Sequence, residues 1–240
     1  MGLKFPVGFV GVVAVVVGAA MVCATAVNEA RAGEISLPVA GSLFNVPVLT
    51  LKEARFKTVV NQQYDYSCGS AAVATLLTYH YENPVTEIEV FEEMFEAGDK
   101  EQIVSRGFSL LDMKNYVVAK GYEAEGYRIG LTKIAEVGVP GITVIDVSGY
   151  KHFVVIKGIN EREVLVGDPA IGAKVYSRAE FEEMREGDII FVIISEPELG
   201  TGNFNQASDW TVRAKAPFGS ALSPQSLATF TVLLPGRNEF

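Results

Sequence analysis

The feature that most constrains the fold is a change of pattern near residue 142. Upstream, apolar residues recur at helical spacing; downstream they come in short β-branched runs. The spacing of Ala72, Val73, Leu76 and Leu77 predicts a helix that follows Cys68 and stops at Asn83-Pro84. Thr86 and Glu89 form a capping-box pair that starts a second helix carrying Ile88, Val90, Phe91, Met94 and Phe95. A third begins at Ser109, with Asp112 three residues on, and ends at Lys120-Gly121. Strands are then expected at Ile142–Ile145, Phe153–Ile156, Val164–Val166 and Ile189–Ile193, with a brief helix at Ala179–Met184 that turns Phe181 inward. Helices segregated from an antiparallel sheet define an α+β domain.

The ends of the chain read differently. Phe5 to Val27 carries no charge, Lys4 precedes it, and Ala30-Arg31-Ala32 supplies the small-x-small pattern of a signal-peptidase site. Residues 1–32 are therefore read as a signal peptide, which makes the protein exported, periplasmic or secreted. An uncleaved anchor is the alternative, because 23 apolar residues can span a ~30 Å hydrocarbon layer; lipid modification at Cys23 is a weaker one. Residues 33–46 form a lead-in with Pro38 and one expected short strand, the domain occupies 47–195, and 196–240 is an extension that wraps the domain or hangs free.

A net charge of −9 excludes a partner bound through its phosphate backbone, so no nucleic acid is expected. With Cys23 gone, Cys68 is the sole thiol of the exported domain, and it forms no internal disulfide. It stands where a turn gives way to a helix, where unpaired backbone N–H groups and the helix dipole favour a thiolate. Gly69 beside it is read as leaving room for a substrate backbone. A small hydrophobe packed at a helix start is the competing account.

A base must come from one of two histidines. His80 lies 12 residues along the same helix, ~18 Å from Cys68, and on the apolar stripe, so it is read as a packing residue. His152 opens a strand and Asp168 closes the next. If Gly158–Arg162 is a five-residue loop, Ile156 faces Val164, Val154 faces Val166 and His152 faces Asp168. Their Cβ atoms would then lie ~4.5–5.5 Å apart, close enough for a carboxylate to hold the imidazole. Asp168 in Gly167-Asp168-Pro169 is also a good turn residue. Nucleophile, base and orienter complete the logic of acyl transfer, and the side-chain amide of Gln62, with Gln63 as competitor, can join the Cys68 N–H as oxyanion donor.

These residues, Gln62, then Cys68-Gly69-x-Ala71-Ala72, then His152-Phe153-Val154-Val155-Ile156, then Asp168-Pro169-Ala170-x-Gly172, resemble the peptidase C39 family of bacteriocin-processing, papain-like domains, over about residues 47–195. The resemblance implies a papain-like cysteine peptidase fold. It also implies nucleophile Cys68, base His152, orienting Asp168 and oxyanion residue Gln62, with a peptide or protein substrate. Family members fused to transporters cleave leader peptides after a double glycine; this chain carries no P-loop. Tyr64 and Ser67 occupy positions acidic in the family, with Asp65 between them. No cofactor is needed, and one thiol with two distant histidines makes no zinc site. Membrane contact is expected only through the N-terminal segment. A noncatalytic peptide-binding or envelope-assembly module, or a cell-envelope amidase or transpeptidase, would use the same groups.

Overall fold

The computed structural model describes the backbone of residues 34–39 and 42–47 and all of 50–212. The signal peptide expected at 1–32 and the distal part of the extension expected at 196–240 lie outside the described residues. Strands β1 (Glu34–Val39) and β2 (Ser42–Pro47) pair antiparallel from Glu34↔Pro47 to Val39↔Ser42. The lead-in thus holds two strands where one was expected. Only Ala40-Gly41 separates them, a two-residue connection suited to a hairpin, and prolines are tolerated because both strands of an isolated ribbon are edges.

Helix α1 (Leu51–Phe56) opens with a Thr50–Glu53 capping box. Then follow α2 (Cys68–His80), α3 (Glu87–Ala97), α4 (Lys100–Arg106) and α5 (Leu110–Ala119). The boxes at Thr86–Glu89 and Ser109–Asp112 form as read from sequence. Helix α2 is the centre of the domain. Every residue from Cys68 to Leu77 is buried, because Gly69, Ser70, Ala71, Ala74 and Thr75 are small enough to let α3 approach one side and the sheet the other. On such a helix the large apolar side chains mark only one of the two buried faces.

Next come β3 (Ala124–Arg128) and α6 (Leu131–Val137), then β4 (Gly141–Val147), β5 (Tyr150–Ile159), β6 (Glu163–Asp168) and β7 (Gly172–Ser177). Helix α7 (Arg178–Met184) leads into β8 (Arg185–Ile193). The sheet order is β3-β8-β4-β5-β6-β7, with every pairing antiparallel. The α+β architecture is as expected; α1, α4, β3, α6 and β7 are additions. One core, with Leu76, Leu77, Met94, Met113, Val155 and Phe191, lies under α2, α3 and α5. The other, with Leu131, Ile134, Val154, Ile156 and Phe181, lies under α6 and α7. Phe181 is fully buried, as its place in the sequence predicts.

The β5–β6 hairpin differs from the expected register. Strand β5 runs on to Ile159, and Ile159 pairs with Val164 and Gly158 with Leu165. The turn is shorter than five residues because Asn160 Oδ1 accepts from the N–H groups of Arg162 and Glu163, at 2.8 and 2.9 Å, and closes it early. The pairing then shifts to Ile156↔Val166 and Val155↔Gly167, leaving Lys157 as the extra residue of a bulge. The pairs Ile156–Val164, Val154–Val166 and His152–Asp168 therefore do not form. The bulge nevertheless restores parity. Next to the turn, odd positions on β5 meet even ones on β6; beyond Lys157, even meets even, so His152 and Asp168 share a face as diagonal neighbours.

Beyond β8 the chain forms α8 (Pro197–Gly202) and a 3₁₀ turn at Asp209–Val212 that lies against β7. Among the described residues no helix is long and apolar enough to cross a membrane.

Candidate active site

Cys68 is the first residue of α2 and is 7% exposed. Its neighbour Ser67 does not cap the helix with its side chain. The Ser67 hydroxyl instead accepts from Tyr64 N–H at 3.1 Å and donates to Tyr64 C=O at 3.0 Å, closing the preceding turn. The first-turn N–H groups of α2 are thus left without a side-chain cap, the arrangement that favours negative charge at a helix start. A Cβ at Gly69 would meet Met113 Cε at 2.7 Å and Phe108 Cβ at 3.0 Å, so packing at the helix start is a second reason for glycine there, beside the room for a substrate backbone read in sequence.

His152 lies two residues into β5 and is 4% exposed. Its Nε2 donates to Asp168 Oδ1 at 2.8 Å. An ionised carboxylate only accepts, so the proton sits on Nε2 and Nδ1 becomes the ring's basic nitrogen. Nδ1 is buried and closes no hydrogen bond within the protein, while the Cys68 sulfur is near enough to act on the ring's protonation. Burial alone would lower the His152 pKa. The hydrogen bond to Asp168, the interaction with Cys68 and the charges of both outweigh it and hold the ring up at about 9. Cys68 and His152, 84 residues apart in sequence, therefore meet at one place.

Asp168 ends β6 and serves the turn and the ring with the same atom. Oδ1 also accepts from Ala170 N–H at 2.8 Å and Ile171 N–H at 3.4 Å. The two readings of Asp168 are not rivals. Turn hydrogen bonds lock the carboxylate rotamer, and a locked rotamer reaches the diagonal His152 that a free one would have to find.

Gln62 is half-buried and Gln63 exposed. The Gln62 backbone N–H donates to Pro169 C=O at 3.0 Å, tying the approach to Cys68 onto the Asp168 turn. Its Nε2 donates to Tyr64 C=O at 3.1 Å, which orients the amide and leaves one of its two N–H groups unspent. His80, by contrast, sits at the far end of α2, 1% exposed, with Nδ1 2.9 Å from Asn203 C=O. Burial, then the Lys157 charge, drive it down to about 3, so it stays neutral.

Cys68 and His152 open onto a cleft of about 620 Å³ that Tyr150, Phe108, Arg106 and Glu186 also line. Tyr150 was missed in the sequence. Its ring stacks on His152 with centroids 5.9 Å apart, and its hydroxyl donates to Asp65 C=O at 2.9 Å, so it pins one face of the imidazole and ties β5 to the Cys68 loop. An aromatic two residues before a strand histidine is on the same face, a signal that was available. A second cavity, about 370 Å³ between β3, α6 and β8, is lined mainly by apolar side chains and holds none of the predicted site residues.

The Peptidase C39 family model matches residues 56–196. The chain is 39% identical over 169 residues to the "Probable functional amyloid protease FapD" of Pseudomonas aeruginosa, covering 70% of this chain and 74% of the relative. It is 37% identical over 162 residues to the protein of the same name from Pseudomonas fluorescens, covering 68% and 71%. Among solved structures, the peptidase domain of Streptococcus ComA, a bi-functional ABC transporter involved in quorum sensing, aligns with a TM-score of 0.49 at 18% identity, over 57% of this chain and 96% of that one. A double glycine motif protease from an AMS/PCAT transporter, in complex with the leader peptide, aligns with a TM-score of 0.47 at 26% identity, over 56% and 89%. With the family model spanning more than half of its length, and the Cys68, His152 and Asp168 segments inside that span, the chain belongs to the peptidase C39 family.

Proposed function

We propose that this cysteine peptidase works outside the cytoplasm, through Cys68, His152, Asp168 and Gln62, on a protein of a functional-amyloid system. The reading of the chemistry rests on one observation above others: the buried 2.8 Å contact of His152 Nε2 with Asp168 Oδ1, which leaves Nδ1 as the nitrogen that exchanges a proton with Cys68. The substrate reading is supported by the two Pseudomonas relatives and their names. The location is supported by the charge-free run and Ala30-x-Ala32.

These groups support a two-stage acyl transfer. Nδ1 takes the Cys68 proton, or already holds it, and Sγ attacks the scissile carbonyl carbon. The oxygen, now negative, is held by the second N–H of Gln62 Nε2 and the backbone N–H of Cys68; losing one such donor typically slows turnover by ~10²–10³. The imidazolium then passes its Nδ1 proton to the leaving nitrogen as the C–N bond breaks and a thioester forms. Water, deprotonated by the same Nδ1, attacks the thioester, releasing the acid and restoring the thiol. Asp168 keeps the ring's tautomer throughout and is not itself protonated.

The test is capture. Full-length Cys68→Ala protein, incubated with the secreted proteins of its host and analysed by mass spectrometry, is expected to retain an amyloid-type subunit or an assembly factor, and wild type to release cleaved pieces of the same protein. Retention of unrelated envelope material, cleaved at amide bonds outside peptides, would replace the peptidase substrate with an amidase one.

A further inference from the structure

The extension contains a feature that the proposed reaction does not use. Lys157, the bulge residue of β5, is 1% exposed, yet its ammonium is fully partnered. Nζ donates to Thr58 C=O and Thr58 Oγ1, each at 2.7 Å, and to Asp209 Oδ2 at 2.8 Å. Thr58 Oγ1 in turn donates to Asp209 Oδ1 at 3.2 Å. Asn205 adds two bonds: its N–H donates to Lys157 C=O and its Nδ2 to Ile159 C=O, both at 3.0 Å. The segment from Asn205 to Asp209 thus grips both sides of one β-bulge. It lies past residue 196, where the family match ends.

The bulge has a consequence for the site. Without an extra residue at 157, the pairing nearest the turn would continue, and His152 would lie on the opposite face of the sheet from Asp168. The Lys157 stem also crosses Gly167, the residue before Asp168; a Cβ there would meet Lys157 Cδ at 3.0 Å. Burying an ammonium is costly, and a methionine would fill the same path without that cost, so packing alone does not account for a lysine here. What the charge adds is direction: three donors aimed at Thr58 and Asp209 hold the residue in the one place that preserves the shift.

We propose that the Lys157–Asp209 pair, closed by the 205–209 strap, is a positioning device that fixes the β5 bulge and so keeps His152 and Asp168 in register. It rests on the reading of those two residues as the proton-handling pair. The strap acts through the bulge and touches no reacting atom.

The experiment uses full-length protein and its two histidines, whose ring signals are separable by NMR. In wild type, His152, facing Asp168, Cys68 and Tyr150, is expected to titrate near pH 9. Asp209→Asn is expected to lower that midpoint by about one unit and kcat by about tenfold, with KM within about twofold, because ring geometry and not substrate binding is lost. Asn205→Gly is the milder variant. It keeps the positive φ of 59° at no strain and removes only the side-chain bond, so about a threefold loss in kcat and a smaller shift of the same sign are expected. Folded variants with wild-type kcat and an unmoved His152 titration overturn the proposal, since a purely structural strap would change only the melting temperature. If Asp209→Asn fails to fold, Asn205→Gly decides by the same two readings. Absence of Cys68-dependent turnover in wild type overturns the proposed function instead.

Discussion

At Asp168 a single oxygen accepts from a ring nitrogen and two backbone N–H groups, which separates what a substitution does to stability from what it does to chemistry. Asp168→Asn keeps an acceptor for the turn but also offers N–H groups to His152, so the opposite tautomer becomes as good and Nδ1 ceases to be the base. Turnover is expected to fall by ~10²–10⁴ while the urea midpoint falls modestly, checked by steady-state kinetics and denaturation on one preparation. Gly69→Ala should do the reverse. Its Cβ would strike Met113 and Phe108, and overpacking of that kind costs ~1–3 kcal/mol, with the remaining folded protein retaining kcat. The sequence exposed the identity of these residues better than their reasons. Cys68, His152 and Asp168 could be found because chemistry restricts which residue types serve. At Gly69 the packing against Met113 and Phe108 is invisible locally, because nothing in the sequence says which way an absent Cβ would point.

At the scale of elements, legibility followed locality. The boxes at Thr86 and Ser109 need only residues three apart, and both helices start where those pairs place them. The β5–β6 hairpin needed two facts the local pattern hides, an early turn closed by Asn160 and a bulge at Lys157 held from residue 209. Two errors of register cancelled in parity, so the expected contact formed diagonally. Asn160→Ala removes the acceptor for two turn N–H groups and is expected to destabilise by ~1–2 kcal/mol, read as a lower urea midpoint with unchanged slope. The short elements α4 and β3 were missed because each buries a single residue, Ile103 and Ala124, too little for a periodicity to register.

Across the whole molecule the two histidines pull stability in opposite directions with pH. His152 is raised from 6.5 to about 9 in the fold, so its stabilising contribution is complete below about 6.5 and is lost as pH rises through 9. His80 is lowered to about 3, so the folded state resists its protonation, and stability is lost as pH falls from about 6.5 towards 3. Each effect is on the order of a few kcal/mol. The urea midpoint should therefore peak near pH 6.5, and His152→Gln should flatten the fall between 6.5 and 9; an alkaline limb unchanged by that substitution would count against the raised ring. The central claim, that His152 activates Cys68 from 84 positions further along the chain, is tested most directly by the rate of iodoacetamide alkylation at Cys68, read by peptide mapping at neutral pH. The account predicts rapid labelling in wild type and labelling slower by about tenfold or more in His152→Ala, in parallel with lost peptide turnover. Equal, slow labelling of the two proteins would contradict it.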